Sequence, residues 1–382
     1  MRIAVFDYSL TATSPAGSCH LLLLKELCDE HDFVVFSTNF DNPRPDRISF
    51  VRIPLPLRPL AVLFVAFHIV APIIAGVYKW KTGEKFDCIQ IVESNLLFSG
   101  VVYAHFCHGA FLADHWTKVR PSGIRRWARW LDHWLHAILE PWVFGRAKAI
   151  VAPSRGLAEE LVRRHEWTRD KIRVLGNPID VDHFGPPPDL DRQHLRRSMK
   201  IKPDQILLSF IALGHFERKG LGILIDAIGS LDNVNIKLIV VGGTDSMLVE
   251  WRRRVKEAHA EDAVEFVGMQ DDVRPFLWSA DAFVLPSSYE VFPLVGLQAA
   301  AARVPIIATA VYGLSDLMID GKNSIIVEST KDSVSGALTR FANTPENERR
   351  EMGIALGEAV TRYGVKRVAE EWRVLYKRLE LK

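Results

Sequence analysis

Only four cysteines occur in 382 residues, Cys19, Cys28, Cys88 and Cys107, and no two of them stand at CxxC or zinc-ligand spacing. That excludes a disulfide scaffold and a zinc motif legible in the sequence, and makes a reducing compartment the simpler expectation. Net charge is nearly absent: 48 Lys and Arg against 46 Asp and Glu leave +2, too little for a global attraction to nucleic acid. The N-terminus, MRIAVFDYSL, lacks the basic region and cleavage site of a secretory signal and passes at once into an apolar strand-like run, so a cytoplasmic location is expected. One stretch lacks charge altogether. Pro59–Tyr78, PLAVLFVAFHIVAPIIAGVY, is about long enough to cross a bilayer. A crossing would put the strand-like runs Ile3–Phe6 and Cys88–Val92 on opposite sides of a membrane, although both read as strands of one sheet. The expectation is therefore a buried or membrane-grazing helix, kinked near Pro72.

What is present is a globular balance, 48% hydrophobic and 25% charged, over a length that accommodates two cores. Apolar runs alternate with helical patterns: IAVF, a helix near His20–Asp29, FVVFS, then CIQIV, GVVYAHF and AIVAPS. This is the rhythm of a parallel sheet flanked by helices. It breaks at the proline-rich GPPPDLDRQHL and restarts at Ile206 with ILLSFIAL, IKLIVVGG, VEFVG, AFVLPS and PIIATA. Two Rossmann-like α/β domains follow, over 1–180 and 181–363, with 364–382 a closing amphipathic helix that packs back on the first domain. Facing each other across a deep cleft, such domains bind ligands at the carboxyl ends of their strands.

Two stretches carry chemistry. Ser209–Ile228, SFIALGHFERKGLGILIDAI, reads as a strand, a turn with Gly214, the basic pair Arg218–Lys219, and a helix opened by Gly220. Free N–H groups and two cations at a helix start suit a diphosphate; a solvated charged turn is the plainer alternative. Ser279–Val327 turns through Pro286–Ser288, places Glu290 at the turn, and enters a small-residue helix near Leu294, with Pro293 suited to the first helical position and Gln298 one turn on along the same face. Capping that helix is the alternative role for Glu290.

The succession Gly214…Arg218-Lys219-Gly220, VVGG, VEFVG, ADAFVLPSSYEVFPLVGLQAAAA and YGLSDLMIDGKNSIIV resembles the family-four retaining glycosyltransferases (glycosyl transferases group 1) over the whole C-terminal half. SPAGS, CHGAF and APSRGLAEEL…KIRVLGNPIDVDHF agree more loosely in the N-terminal half. The resemblance implies the GT-B fold, an N-terminal acceptor domain and a C-terminal donor domain that takes a UDP- or GDP-sugar with no required cofactor or metal. It implies that Arg218 and Lys219 hold the donor diphosphate, and that Glu290, the first acid of an EX7E motif, contacts the transferred sugar. Phe292, Pro293, Leu294 and Val295 would touch sugar hydroxyls and phosphate, Met269 the base, and Gln298 the ribose. His108 would stand near the sugar as a second catalytic side chain, and Gly17 in a glycine loop beside the acceptor.

The sequence departs from the family at four places. Gln298 replaces the second acid, so the ribose loses a charge-assisted bond and nucleotide binding is expected to be weaker or altered. His215 stands where many members have arginine, Ala16 replaces the first of two glycines, and His105 lies close to His108. Asp180-Val-Asp182 resembles the metal-binding DxD of another glycosyltransferase fold but falls in the interdomain segment and is discounted. IRRWARWLDHWLHAILE sets Ile124, Trp127, Leu131, Trp134, Leu135 and Ile138 on one stripe, with Arg125, Arg126, Arg129 and Asp132 off it. Such a stripe suits a core-facing helix, the reading favoured here, while tryptophan beside arginine also suits a lipid interface. Peripheral contact with the inner face of a membrane and a glycan, lipid-linked or lipopolysaccharide acceptor are the expectations that follow. A catalytically silent sugar-nucleotide-binding protein and a nucleotide-sugar epimerase are the alternatives. The oligomeric state is left open.

Overall fold

The computed structural model describes residues 1–98, 100–117, 125–231 and 235–380, and the chain divides into two compact units, Met1–Ile179 with Tyr363–Lys382, and Asp180–Arg362. In the first unit the strands Arg2–Phe6 (β1), Asp32–Ser37 (β2), Ser49–Arg52 (β3), Cys88–Val92 (β4), Val101–Tyr103 (β5), Ala149–Ala152 (β6) and Ile172–Val174 (β7) form one parallel sheet in the order β3-β2-β1-β4-β5-β6-β7. The order reverses at β1. Chains leaving β1 and β4 therefore diverge and open a crevice at their carboxyl ends.

Helix α1, Pro15–Leu27, starts earlier than the apolar pattern suggests. Ser14 caps it by accepting from Gly17 N at 3.4 Å and Pro15 opens it, where a missing N–H costs nothing. Helix α2, Leu60–Thr82, contains Pro72 and ends on Gly83 at φ 70°. It is long and apolar enough to cross a membrane, yet only 22% of its most apolar stretch is buried, so it is not a core helix. Phe64, Phe67 and Ala71 face inward while Val62, Val65, Ile69, Ile73, Val77 and Trp80 face out.

Helix α3, Arg125–Arg146, corrects the core-facing reading of its stripe. Trp127, Leu131, Trp134 and Ile138 are exposed, Trp127 to 72%, and Trp142 continues the row, whereas His136 and Glu140 are buried on the opposite face. Ile124, also placed on that stripe, lies outside the described residues. The pattern had the right periodicity and the wrong side. α2 packs on α3, with the Phe64 and His136 rings 4.4 Å apart, so the two outward apolar rows belong to neighbouring helices.

The second unit repeats the plan with Ile206–Ile211 (β8), Ile236–Val241 (β9), Val264–Gly268 (β10), Ala282–Leu285 (β11), Ile306–Thr309 (β12) and Ser324–Val327 (β13), ordered β10-β9-β8-β11-β12-β13. Its reversal falls between β8 and β11. Helix α4, Leu221–Gly229, follows β8, and α5, Leu294–Ala301, follows β11. The last helix, α6, Val365–Glu380, belongs to the first unit, where Val368, Ala369, Trp372, Leu375, Tyr376 and Leu379 join the cluster of Ile3, Val5, Leu24, Phe33 and Tyr103. Val368, Leu375 and Leu379, at about 1.5–3 kcal/mol each, together with the larger Trp372 and Tyr376 make this helix a large gross contributor to the unit's core. The Tyr376 hydroxyl donates to Gln90 Oε1 at 2.5 Å, and Arg373 pairs with Glu30 at 2.7 Å at the surface.

Candidate functional site

In the second unit the loop after β8 and the turn after β11 are laced together by backbone contacts. Gly220 takes φ 79°, and a Cβ there would lie 2.3 Å from the Pro286 carbonyl oxygen, so the close approach requires glycine. Ser288 N donates to the Arg218 carbonyl at 2.8 Å, and Thr309 Oγ1 to that of Ser287 at 2.7 Å. This lacing fixes the positions of Arg218, Lys219 and Glu290.

Their side chains form one cluster. Lys219 Nζ lies 2.7 Å from Glu290 Oε1, Arg218 Nη1 lies 3.3 Å from Glu290 Oε2, and Arg218 Nη1 also donates to the Tyr289 carbonyl at 2.6 Å. Glu290 is buried. Burial alone would raise its pKa, but Lys219 and Arg218 outweigh that and hold the carboxyl below its ordinary value. Two cations and one carboxylate leave an excess positive charge at the carboxyl end of β11, which is what an incoming diphosphate requires. Glu290 is thus the partner of the basic pair; the alternative of a helix cap finds no support, since α5 begins at Leu294 with no side-chain cap.

Pro293 is the N-cap residue of α5, one position before the first helical residue expected for it. Leu294 and Val295 open the first turn, Gly296 N donates to the Pro293 carbonyl at 2.9 Å, and Gln298 lies one turn further, half-buried. Phe292 packs on Gly313, where a Cβ would come within 2.6 Å of its ring. Met269 follows the edge strand β10 and is 52% exposed. Asp180, discounted as a metal ligand, accepts from His183 N at 3.0 Å and caps the short helix Val181–Phe184. An open groove of about 810 Å³ lined by Asp182, Arg274, Trp278 and Arg303 also lies in this unit, but none of the site residues borders it.

His108 and Gly17 belong to the first unit. Gly17 is not in a loop: it sits in the first turn of α1, where a Cβ would lie 2.8 Å from Thr11 N, so it is needed for close packing. His108 opens a short helical turn after β5 and is buried. Its Nε2 is 3.1 Å from Glu93 Oε2, its Nδ1 is 2.9 Å from His133 Nδ1, and its ring stacks on His136 at 4.2 Å. Burial works against a charged imidazole, yet Glu93 raises the His108 pKa above its ordinary value. Burial likewise opposes the Glu93 carboxylate, but the hydrogen bond and charge of His108 bring it down to about 2. His133, desolvated and beside the His108 cation, falls to about 3. This geometry makes His108 a donor through both nitrogens, with His133 the neutral acceptor. His105 is desolvated and lowered to about 4, and has no such ion pair among the described residues.

Sequence reasoning missed Glu93, Ser94, His133, His136 and Glu140. Two signals were available: Glu93 follows a buried strand at the carboxyl end, and His133 and His136 stand three apart on one helical face. Glu140 Oε1 and Oε2 accept from His108 N at 2.5 Å and Gly109 N at 3.0 Å, which anchors the turn carrying His108 to α3.

Residues 206–343 match the family model of glycosyl transferases group 1, and residues 20–183 that of glycosyltransferase family 4. A D-inositol 3-phosphate glycosyltransferase of Xylanimonas cellulosilytica is 31% identical over 197 residues, 50% of this chain and 47% of that protein. The lipopolysaccharide core biosynthesis glycosyltransferase LpsE of Rhizobium meliloti is 34% identical over 186 residues, 48% of this chain and 51% of that protein. The chain thus spans about half the length of these two curated relatives. Among solved structures, Anabaena HepE in complex with UDP and glucose has a TM-score of 0.74 at 17% identity, with 99% of each chain covered. WaaG, a glycosyltransferase involved in lipopolysaccharide biosynthesis, has a TM-score of 0.75 at 16% identity over 97% of this chain and 98% of that one. These likenesses establish the GT-B fold.

Proposed function

The chain belongs to the group 1, family-four glycosyltransferases, and from that premise we propose that it moves a hexosyl group from a nucleotide sugar to a lipid-linked or lipopolysaccharide-type acceptor with retention of anomeric configuration. The observation that carries the reading is the Arg218–Glu290–Lys219 cluster at the strand-order reversal of the second unit. Cleaving the bond between anomeric carbon and phosphate builds negative charge on the leaving diphosphate, and fixed cations there lower the barrier. A bound diphosphate competes with Glu290 for Arg218 and Lys219, and the carboxylate it displaces is then available to a hydroxyl of the transferred sugar. Leu294 and Val295 offer backbone N–H groups, Phe292 and Pro293 wall the pocket, Met269 lies against the base, and Gln298 bonds the ribose through its neutral amide. The turn carrying His108 supplies the first unit's contact to the sugar, and the region of Gly17 borders the acceptor. No metal or cofactor is assigned to the transfer step. UDP in the Anabaena neighbour favours a UDP-sugar over a GDP-sugar.

The acceptor reading rests on the first unit's outward apolar rows. Leaving Trp127, Leu131, Trp134, Ile138 and Trp142 in water forfeits several kcal/mol at about 25 cal/mol per Å². An acyl-chain boundary would recover that, with Arg126 and Arg129 near anionic headgroups. The protein is accordingly assigned to the cytoplasmic face of a membrane as a peripheral enzyme. The test is a screen of UDP- and GDP-sugars for thermal stabilisation, followed by turnover with each hit. Transfer or slow donor hydrolysis is the expected result. Binding without either would leave a silent sugar-nucleotide-binding protein, and a changed sugar with no acceptor present would mark an epimerase.

A further inference from the structure

We propose that Glu93, His108 and His136 form a binding site for one divalent transition-metal ion of the zinc type, distinct from the diphosphate cluster of the second unit. One oxygen of Glu93 and one nitrogen of each histidine lie within 4.8 Å of one another, and all three residues sit at the carboxyl ends of β4 and β5 or on the facing side of α3. A carboxylate with two imidazoles is a recurrent donor set for zinc, and three protein donors leave a coordination position open for water or a hydroxyl oxygen.

The outer hydrogen bonds of the rings follow the pattern of metal-bound histidine. His136 Nδ1 is engaged by Ser94 Oγ at 2.7 Å, and His108 Nδ1 by His133 Nδ1 at 2.9 Å. Both Nδ1 atoms are thus tied to outer partners, which leaves Nε2 of each ring as the donor. Glu93 Oε2 and His108 Nε2, 3.1 Å apart, already have the spacing of two ligands on an ion with bonds of about 2 Å. The His136 ring, parallel to that of His108 with centroids 4.2 Å apart, completes the set by turning about its side-chain torsions, because an imidazole nitrogen binds in its ring plane and ligands on a tetrahedral ion with ~2 Å bonds sit ~3.3 Å apart.

A second observation points to a missing occupant. Around the same strand ends, Tyr8 Oη and Asn95 Oδ1 are buried without a hydrogen-bond partner among the described residues. They adjoin the cluster: Tyr8 and His136 rings are 6.5 Å apart, and Asn95 stands two residues after Glu93. Buried polar atoms in native proteins find partners, and an ion carrying a water supplies them. The neighbouring group Cys107, Glu140 and His165 is a poorer site, because both Glu140 oxygens already accept backbone N–H groups.

The test uses the full chain, stripped with a chelator and titrated with Zn²⁺ against a chromophoric competitor. One equivalent should bind, and Glu93→Gln and His136→Asn should each weaken binding by tenfold or more. Ser94→Ala, which alters only the outer partner, should weaken it by about tenfold with the fold intact. No competitive binding by the wild type, or unchanged binding in the two ligand variants, overturns the site. Zinc-edge X-ray absorption on the wild type decides the matter even if those variants misfold. A nitrogen and oxygen shell with imidazole scattering supports the assignment, and a sulfur ligand moves the ion to Cys107 and overturns it.

Discussion

The two units share the order of their first six strands and place charge around it in different ways. In the second unit Arg218, Lys219 and Glu290 meet beside two strand ends, the Glu290 carboxylate buried between the two cations. In the first, around α3, ionisable side chains lie inside and apolar ones outside: His136 and Glu140 are buried while Trp127, Leu131 and Trp134 face out. α6, in that same unit, is built the ordinary way, with Trp372 and Tyr376 buried and Arg373 at the surface. The inversion is therefore local to α3, while α2 beside it is apolar on both faces. The contrast leaves a charged cluster in the second unit and an exposed apolar row in the first.

The comparison is broken most severely at the charged cluster. Replacing Arg218 and Lys219 together by alanine should lower kcat/KM by about 1000-fold or more, because transition-state charge on the diphosphate loses both cations. Steady-state kinetics with the best donor, and calorimetry with the nucleoside diphosphate, check this; unchanged affinity in a folded double variant would place the diphosphate elsewhere.

Glu290→Gln should depress kcat by about 100-fold, an effect typical of one lost transition-state contact, while donor affinity changes only a few-fold. It also carries a pH signature. The Glu290 pKa is lowered in the folded chain, so its ion pairs stabilise the protein above the ordinary carboxylate value and that contribution is lost as pH falls through the lowered one. Acid unfolding of the variant should therefore be shallower than that of the wild type. Equal loss of turnover and nucleotide affinity would point instead to a structural role.

On the inverted surface, Trp127→Ser with Trp134→Ser should reduce flotation with anionic liposomes by about tenfold, given the gain expected from burying tryptophan at an interface. Thermal stability should hold, because these side chains contribute little to the core. High salt should weaken the same association, and neutral vesicles should bind less. Wild-type protein that fails to float under any of these conditions would favour a soluble acceptor.

The smallest effect concerns the polar interior. Burial pushes the Asp7 carboxyl up to about 8 despite the hydrogen bond from Tyr8 N, so the folded chain holds a proton that the unfolded chain releases. Stability should then fall as pH rises between the ordinary carboxylate value and about 8. Asp7→Asn should flatten that slope and raise Tm by a few degrees at pH 8, as a gain on the order of 1 kcal/mol would. Thermal melts at pH 4 and pH 8 distinguish this from a variant that merely loses a hydrogen bond, which would melt lower at both.

The sequence by itself determined whatever depends on neighbours along the chain. The alternation of apolar runs and helical patterns specified two doubly wound units, and the basic pair before Gly220 and the turn carrying Glu290 stood at strand-to-helix junctions, where ligands collect. Tertiary structure decided what depends on residues far apart. Glu290 meets Lys219 across 71 positions, and Glu93, His108 and His136 converge from two strand ends and a helix. It also decided which way α3 turns. Periodicity says which residues share a helical face, but not which face is buried when one bears tryptophan and leucine and the other histidine and glutamate; Ser94, bonded to His136, and the backbone of His108 and Gly109, bonded to Glu140, drew the second face inward, and the tryptophans were left outside.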